Sequence, residues 1–181
     1  MRKIINSTYI TLDGDIANMQ DWHFEYFDDD ATAAAQRFLE RSDDLIMGRA
    51  TYEGFAEAWA PQKDENPFAA KINTMPKHVV STTLSDPEWE NSRVIAVDDV
   101  PALKNGDGGD ILQYGFGDVS RALVREGLLD ELHLWVHPVL SGKAAPEERI
   151  YADMPQARFE LAGVERLGSG IVILSYAARA R

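Results

Sequence analysis

Residues 2–9 form a run of β-branched and apolar side chains, the pattern of a buried first strand. Asp13-Gly14-Asp15 then gives a turn. A polar-aromatic loop through Trp22, His23, Tyr26 and Phe27 leads to Asp28-Asp29-Asp30, which open a predicted helix to about Arg41. Its buried stripe is Ala31, Ala34, Ala35 and Phe38, at helical spacing. Leu45-Ile46-Met47 reads as a short buried strand ended by Gly48, with a second helix expected from about Thr51 to Trp59. Asn66-Pro67 starts a further short helix, closed by Met75-Pro76. Strands are expected at 77–81 and 92–97, and a turn at 105–109. A strand at 110–114 then runs into Gly115-Phe116-Gly117, where a helix begins that ends at Gly127.

The last third changes character. In 132–137, Leu132, Leu134 and Val136 alternate with His133, Trp135 and His137, and further strands are expected at 158–166 and 170–177. Alternating α and β units followed by consecutive strands predict an α/β fold. Its mostly parallel sheet would carry helices on both faces and an antiparallel C-terminal edge.

The 181 residues, 45% hydrophobic and 27% charged, fit one ordinary globular domain spanning 1–181. Eighteen Lys and Arg against 30 Asp and Glu leave a net charge of −12, which argues against nucleic acid and against an anionic membrane surface as partners. The absence of cysteine excludes disulfides, a thiolate nucleophile and Cys-ligated metal. The opening MRKIINSTYITL is too short and polar for a signal segment or a membrane span. A cytoplasmic protein acting on a small molecule is the expectation.

In open α/β sheets, ligands lie beyond the carboxyl ends of strands, against the following helix N-termini. Gly48-Arg49-Ala50-Thr51 is one such place. It reads either as an anion site with a close backbone, a guanidinium and a hydroxyl, or as a plain turn in which Thr51 caps a helix. Tyr114-Gly115-Phe116-Gly117-Asp118 is a second, where Asp118 also fits the role of a helix cap. Ser81-Thr82-Thr83 adds three hydroxyls at a strand end, equally consistent with a turn. His133 and His137 share a strand face about 13 Å apart, so they cannot ligate one metal, and His23 and His78 lack a partner at metal spacing; no metal site is expected. Trp22, Tyr26 and Phe27 fit either an aromatic core or the wall of a flat ligand's pocket.

TLDG at 11–14, GRATYEGF at 48–55, MPKHVVSTTL at 75–84, the turn at 115–117 and DELHLWVHPVLSGK at 130–143 occur in this order. Over residues 3–176 the chain thereby resembles the dihydrofolate-reductase-like superfamily, and in particular stand-alone RibD C-terminal proteins, the reductase domain of the riboflavin-biosynthesis deaminase–reductase. The resemblance implies a three-layer α/β/α fold and an NADPH-dependent reductase of a small heterocyclic or carbonyl substrate. Activities named for such relatives are reduction of a phosphoribosylaminopyrimidinone and of dihydrofolate. Ile16 would border the nicotinamide, and Gly48, Arg49 and Thr51 would hold cofactor phosphates. Ser81, Thr82 and Thr83 would surround the adenosine 2′-phosphate, and Tyr114, Gly115, Phe116, Gly117, Asp118 and Val119 would wrap the pyrophosphate. The protein would then supply position, electrostatics and one proton donor.

Asp30 stands where relatives carry a cleft-facing acid. Ungapped counting back from Gly48 instead puts the folate-reducing enzymes' acid at Thr32, and three acids also simply favour a helix start. The segment 13–30 carries seven acids and no Lys or Arg, which speaks against a substrate phosphate held there. Relatives carry basic residues where Ala50 and Thr82 stand, and a neutral or basic one at Asp118, so weak cofactor binding is expected. A homodimer is expected from the resemblance and from the long late strands around Trp135. A non-catalytic nucleotide-binding protein and a structural dimerisation module remain open as other readings.

Overall fold

A computed structural model describes residues 1–63, 65–154 and 156–179. The strands are β1 (Ile4–Thr11), β2 (Ser42–Gly48), β3 (Lys77–Val80), β4 (Ser92–Ile95), β5 (Asp110–Tyr114), β6 (Glu131–His137), β7 (Phe159–Arg166) and β8 (Val172–Ala178). The helices are α1 (Asp29–Glu40), α2 (Arg49–Trp59), α3 (Pro67–Thr74), α4 (Val100–Lys104) and α5 (Asp118–Arg125). One sheet has the order β4-β3-β2-β5-β1-β6-β8-β7. The first six strands run parallel, while β8 lies antiparallel to β6 and β7 antiparallel to β8. This is the architecture the alternating pattern predicts.

The central strands are apolar on both faces because helices cover both. Leu45 and Met47 of β2 join Ile5 and Leu112 beneath Leu39 of α1, Tyr52 of α2 and Ile72 of α3. Ile46, between them, points the other way, into a cluster with Ile4, Ile111, Val100 of α4 and Leu123 of α5. A third cluster forms where Ala31, Ala34 and Ala35 let α1 lie close over Trp135, Ile171 and Ile173. Trp135 is fully buried and donates its Nε1–H to Ser7 Oγ at 3.0 Å. It therefore belongs to the core and offers no surface to a second subunit.

Helix α4 has no counterpart in the sequence reading. Five residues behind a short 3-10 turn, with Pro101 in the first turn, are too few to show a helical repeat. Among the described residues no helix is long and apolar enough to cross a membrane.

Candidate functional site

A cleft of about 840 Å³ opens where β2, β3, β4 and β5 end. Its walls are the segments 48–51, 80–83, 94–99, 113–115 and 117–120, so it collects the starts of α2 and α5 with the chain that follows β3 and β4.

The helix starts differ in a way that bears on ligands. Asp28 caps α1 by accepting from Ala31 N–H at 2.9 Å, and Asn66 caps α3 through Ala69 N–H at 2.9 Å. Helices α2 and α5 begin behind Gly48 and Gly117, and neither has a side-chain cap. Their first-turn N–H groups and the positive ends of both dipoles thus lie at the cleft without a side-chain acceptor. The two turns also lie close together: a Cβ on Gly48 would meet Val119 Cγ2 at 3.2 Å.

Gly115 holds φ +72°, a left-handed backbone that glycine adopts without strain. Its carbonyl accepts from Asn6 Nδ2 at 2.8 Å and from Ser120 Oγ at 3.3 Å. Asn6 Nδ2 also donates to Gln113 Oε1 at 2.9 Å, and Asn6 Oδ1 accepts from Thr8 Oγ1 at 2.7 Å. Sequence reading passed over this network. The signal available was the polar triplet Asn6-Ser7-Thr8 inside an otherwise apolar central strand. The wall at 94–99 was missed as well, since only a strand was legible there.

Of the residues assigned to the cofactor by resemblance, Gly48, Arg49, Thr51, Ser81, Thr82, Thr83, Tyr114, Gly115, Gly117, Asp118 and Val119 line the cleft. Ile16 and Phe116 do not; both pack against the core beneath α4 and α5. Arg49 is half-exposed, ion-paired to Glu53 at 2.7 Å and bonded to Thr83 Oγ1 at 3.1 Å. Ser81 Oγ accepts from the N–H groups of Thr83 and Leu84, both at 3.1 Å, and so shapes its own turn. Asp118 is fully exposed, 3.4 Å from Arg121. Three carboxylates, Asp98, Asp99 and Asp118, line the same cleft as Arg49.

Asp30 lies outside this cleft. It is exposed, and its carboxylate accepts from Gly168 N–H in the β7–β8 turn at 3.2 Å. Thr32 is exposed too, its hydroxyl spent on Asp28 O at 3.0 Å. Other acids of the 13–30 segment act as staples. Asp13 accepts from Thr11 Oγ1 at 2.6 Å and from the N–H groups of Ser141 and Gly142, bonds that hold its carboxyl far below the usual range. Asp21 pairs with Lys143 at 2.9 Å.

The histidines depart from the sequence reading. His23 Nδ1 lies 3.0 Å from His137 Nε2, and His78 Nε2 lies 3.1 Å from Asp44, so both have the close partner that spacing along the chain concealed. His137 Nδ1 lies 2.8 Å from Trp135 O, which must accept, so His137 Nε2 in turn accepts from His23 Nδ1–H. Burial, and secondly His137, pushes His23 down to about 4. Tyr9 stacks on His23 at 4.2 Å, while Trp22 is buried and Tyr26 and Phe27 pack beside it, which makes this an aromatic core. Among the described residues no group of three or more His, Asp or Glu could hold a metal ion.

A profile of the RibD C-terminal domain matches residues 2–173. The chain belongs to the RibD C-terminal domain family. Its relatives include the uncharacterized protein YyaP of Bacillus subtilis strain 168, 28% identical over 97% of this chain and 94% of that one. A crystal structure from Shewanella sp. PV-4 superposes with a TM-score of 0.77 at 21% identity, over 99% of this chain and 100% of that one. The deaminase/5-amino-6-(5-phosphoribosylamino)uracil reductase of Thermotoga maritima gives 0.67 at 14% identity, over 98% of this RibD C-terminal chain and 57% of that longer one. At these identities the structures establish the three-layer, dihydrofolate-reductase-like fold.

Proposed function

We propose that this RibD C-terminal protein is an NADPH-dependent reductase of a small heterocycle or carbonyl compound, comparable to the reductase named for the Thermotoga protein or to dihydrofolate reductase. One observation carries the reading: two helix starts without side-chain caps open on the same cleft, at the carboxyl ends of parallel strands. Their donors fit a dinucleotide's phosphates. The glycines permit close backbone approach, and Arg49 with Thr51 and the 81–83 hydroxyls would supply the charged and polar contacts. Bound there, the reduced nicotinamide would supply hydride. The chain's own residues would hold and orient the cofactor.

The cleft's acidic balance makes this a weak site with little preference for NADPH over NADH. Arg49→Ala weakens NADPH by about 1.5 kcal/mol, the low end for a charge-assisted hydrogen bond, because the guanidinium is half-exposed. Asp118→Asn tightens both cofactors modestly and more at low salt, and Thr82→Arg tightens NADPH alone. Fluorescence titration checks all three; equal dissociation constants for wild type and Arg49→Ala would sink the phosphate assignment.

A nucleotide-binding protein without catalysis is the second reading. It is favoured by the absence of Asp28, Asp29 and Asp30 from the cleft lining. A reductase shifts its melting temperature with NADPH and consumes it with 5-amino-6-(5-phosphoribosylamino)uracil, dihydrofolate or a related compound, whereas the binder shows only the shift. The reading places the activity in the cytoplasm and the chain in a homodimer.

A further inference from the structure

A second cavity, of about 420 Å³, opens near the starts of β2, β3 and β4, at the other ends of these strands from the cleft. Asp44, Pro76, His78, Arg93 and Leu103 line it, and none of them lines the cleft. Strand register sets the polar wall. His78 of β3 lies between Ile46 of β2 and Arg93 of β4, so the three side chains leave the sheet on one face, the face that α4 covers.

The hydrogen bonds along that wall run in one direction. A guanidinium only donates, so Arg93 Nε–H donates to His78 Nδ1 at 2.9 Å. His78 then carries its proton on Nε2, which donates to Asp44 Oδ2 at 3.1 Å. Arg2 Nη1 donates to the same Asp44 oxygen at 2.7 Å, and Arg2 Nε donates to Gly109 O at 2.6 Å. Burial, outweighing the pull of Asp44, holds His78 below its ordinary pKa, and the imidazole is neutral at pH 7. Arg2 thus balances Asp44, and the charge of Arg93 is left over. Among the described residues no carboxylate lies within ion-pair distance of Arg93. Its side chain is exposed and anchored from behind by His78, with the donors of both terminal nitrogens still to be satisfied. In a chain of net charge −12, this is a local excess of positive charge at the wall of a cavity.

We propose that the cavity is a second ligand site, which takes a small organic monocarboxylate. The two carboxylate oxygens accept side by side from the terminal nitrogens of Arg93, a pairing that planar guanidinium geometry favours. The apolar body of the ligand lies against Pro76 and Leu103. The volume is in the range of small-molecule pockets. Because His78 already fixes Arg93 Nε, little side-chain freedom is lost on binding. Arg2 and Arg93 against Asp44 leave one positive charge, which matches one carboxylate. A phosphate dianion brings a second negative charge towards Asp44 with no cation to meet it. The assignment stands independently of the reductase reading, since the two cavities share no residue.

Benzoate is the probe, titrated at constant ionic strength into ¹⁵N-labelled protein without cofactor. The arginine Nε–H signal missing from both Arg93→Gln and Arg93→Lys identifies Arg93. In wild type that signal moves saturably with benzoate, at least tenfold more tightly than with uncharged benzamide or with inorganic phosphate. Arg93→Gln, which can still donate to His78, binds benzoate at least tenfold more weakly, as read on the backbone amides of 91–93. Arg93→Lys, which keeps the charge but not the paired donors, falls between the two. An unmoved Arg93 signal overturns the proposal, as does equal benzoate affinity in Arg93→Gln and wild type. Benzamide or phosphate binding as tightly as benzoate also overturns it, the first by showing an apolar groove and the second a general anion patch.

Discussion

Asn6 joins three parts of the site through one side chain: Gln113 before the glycine turn, the Gly115 carbonyl within it, and Thr8 on its own strand. Asn6→Ala leaves a buried amide oxygen and a turn carbonyl short of a donor. The expected loss is about 3 kcal/mol in urea unfolding, with weaker NADPH binding as the turn loosens. A loss below 0.5 kcal/mol would show the turn to be self-supporting. The buried His23–His137 pair predicts an acid response. Its pKa values lie below the free value of 6.5, so between pH 6.5 and about 4 the unfolded chain binds more protons than the folded one. The pair's own contribution to stability is therefore flat from pH 8 to 7 and falls as pH drops through that window, by roughly 3 kcal/mol at most. His23→Gln makes the fall shallower; an unchanged slope assigns the acid loss to other groups such as His78. None of these partnerships was legible in the sequence. Asn6 and Gln113, or His23 and His137, stand more than a hundred residues apart, and spacing rules compare only near neighbours.

At the scale of elements the sequence was far more informative. Strand alternation and the Asp28 and Asn66 caps placed most of the elements, because those signals are local and the structure uses them locally. The direction of Asp30 was not readable: acids favour any helix start, and which way one turns depends on the hairpin packed against it. The uncapped starts of α2 and α5 carry a prediction of opposite sign for folding and binding. Gly117 has an extended backbone, and a Cβ there meets nothing within 4 Å, so Gly117→Asp introduces a cap without strain. Stability stays level or rises by a few tenths of a kcal/mol, while NADPH binding weakens tenfold or more, as the carboxylate takes the N–H groups and repels phosphate. Thermal melting and a fluorescence titration of the same sample check both signs. Unchanged NADPH affinity would mean that α5 faces something other than phosphate.

Across the whole molecule, β7 is an edge strand with Leu161 59% and Val164 60% exposed. That edge, together with the family resemblance, supports the proposed homodimer, now without a role for Trp135. Light scattering at micromolar concentration is expected to give twice the chain mass, and Leu161→Lys with Val164→Lys to give the monomer. A monomeric wild type removes the proposal. The sheet order has a further consequence, for how the chain assembles. Strand β1 comes first in sequence yet lies deep in the sheet, with Ile4 beside Ile111 on one side and Ile5 beside Glu131 on the other. Neither neighbour exists while the ribosome is still making β2, β3 and β4. During synthesis the earliest strand must wait, apolar and unpaired on both edges, until β5 and β6 emerge. Until then it is a segment for chaperones to shield, and refolding from denaturant is held back by these long loop closures.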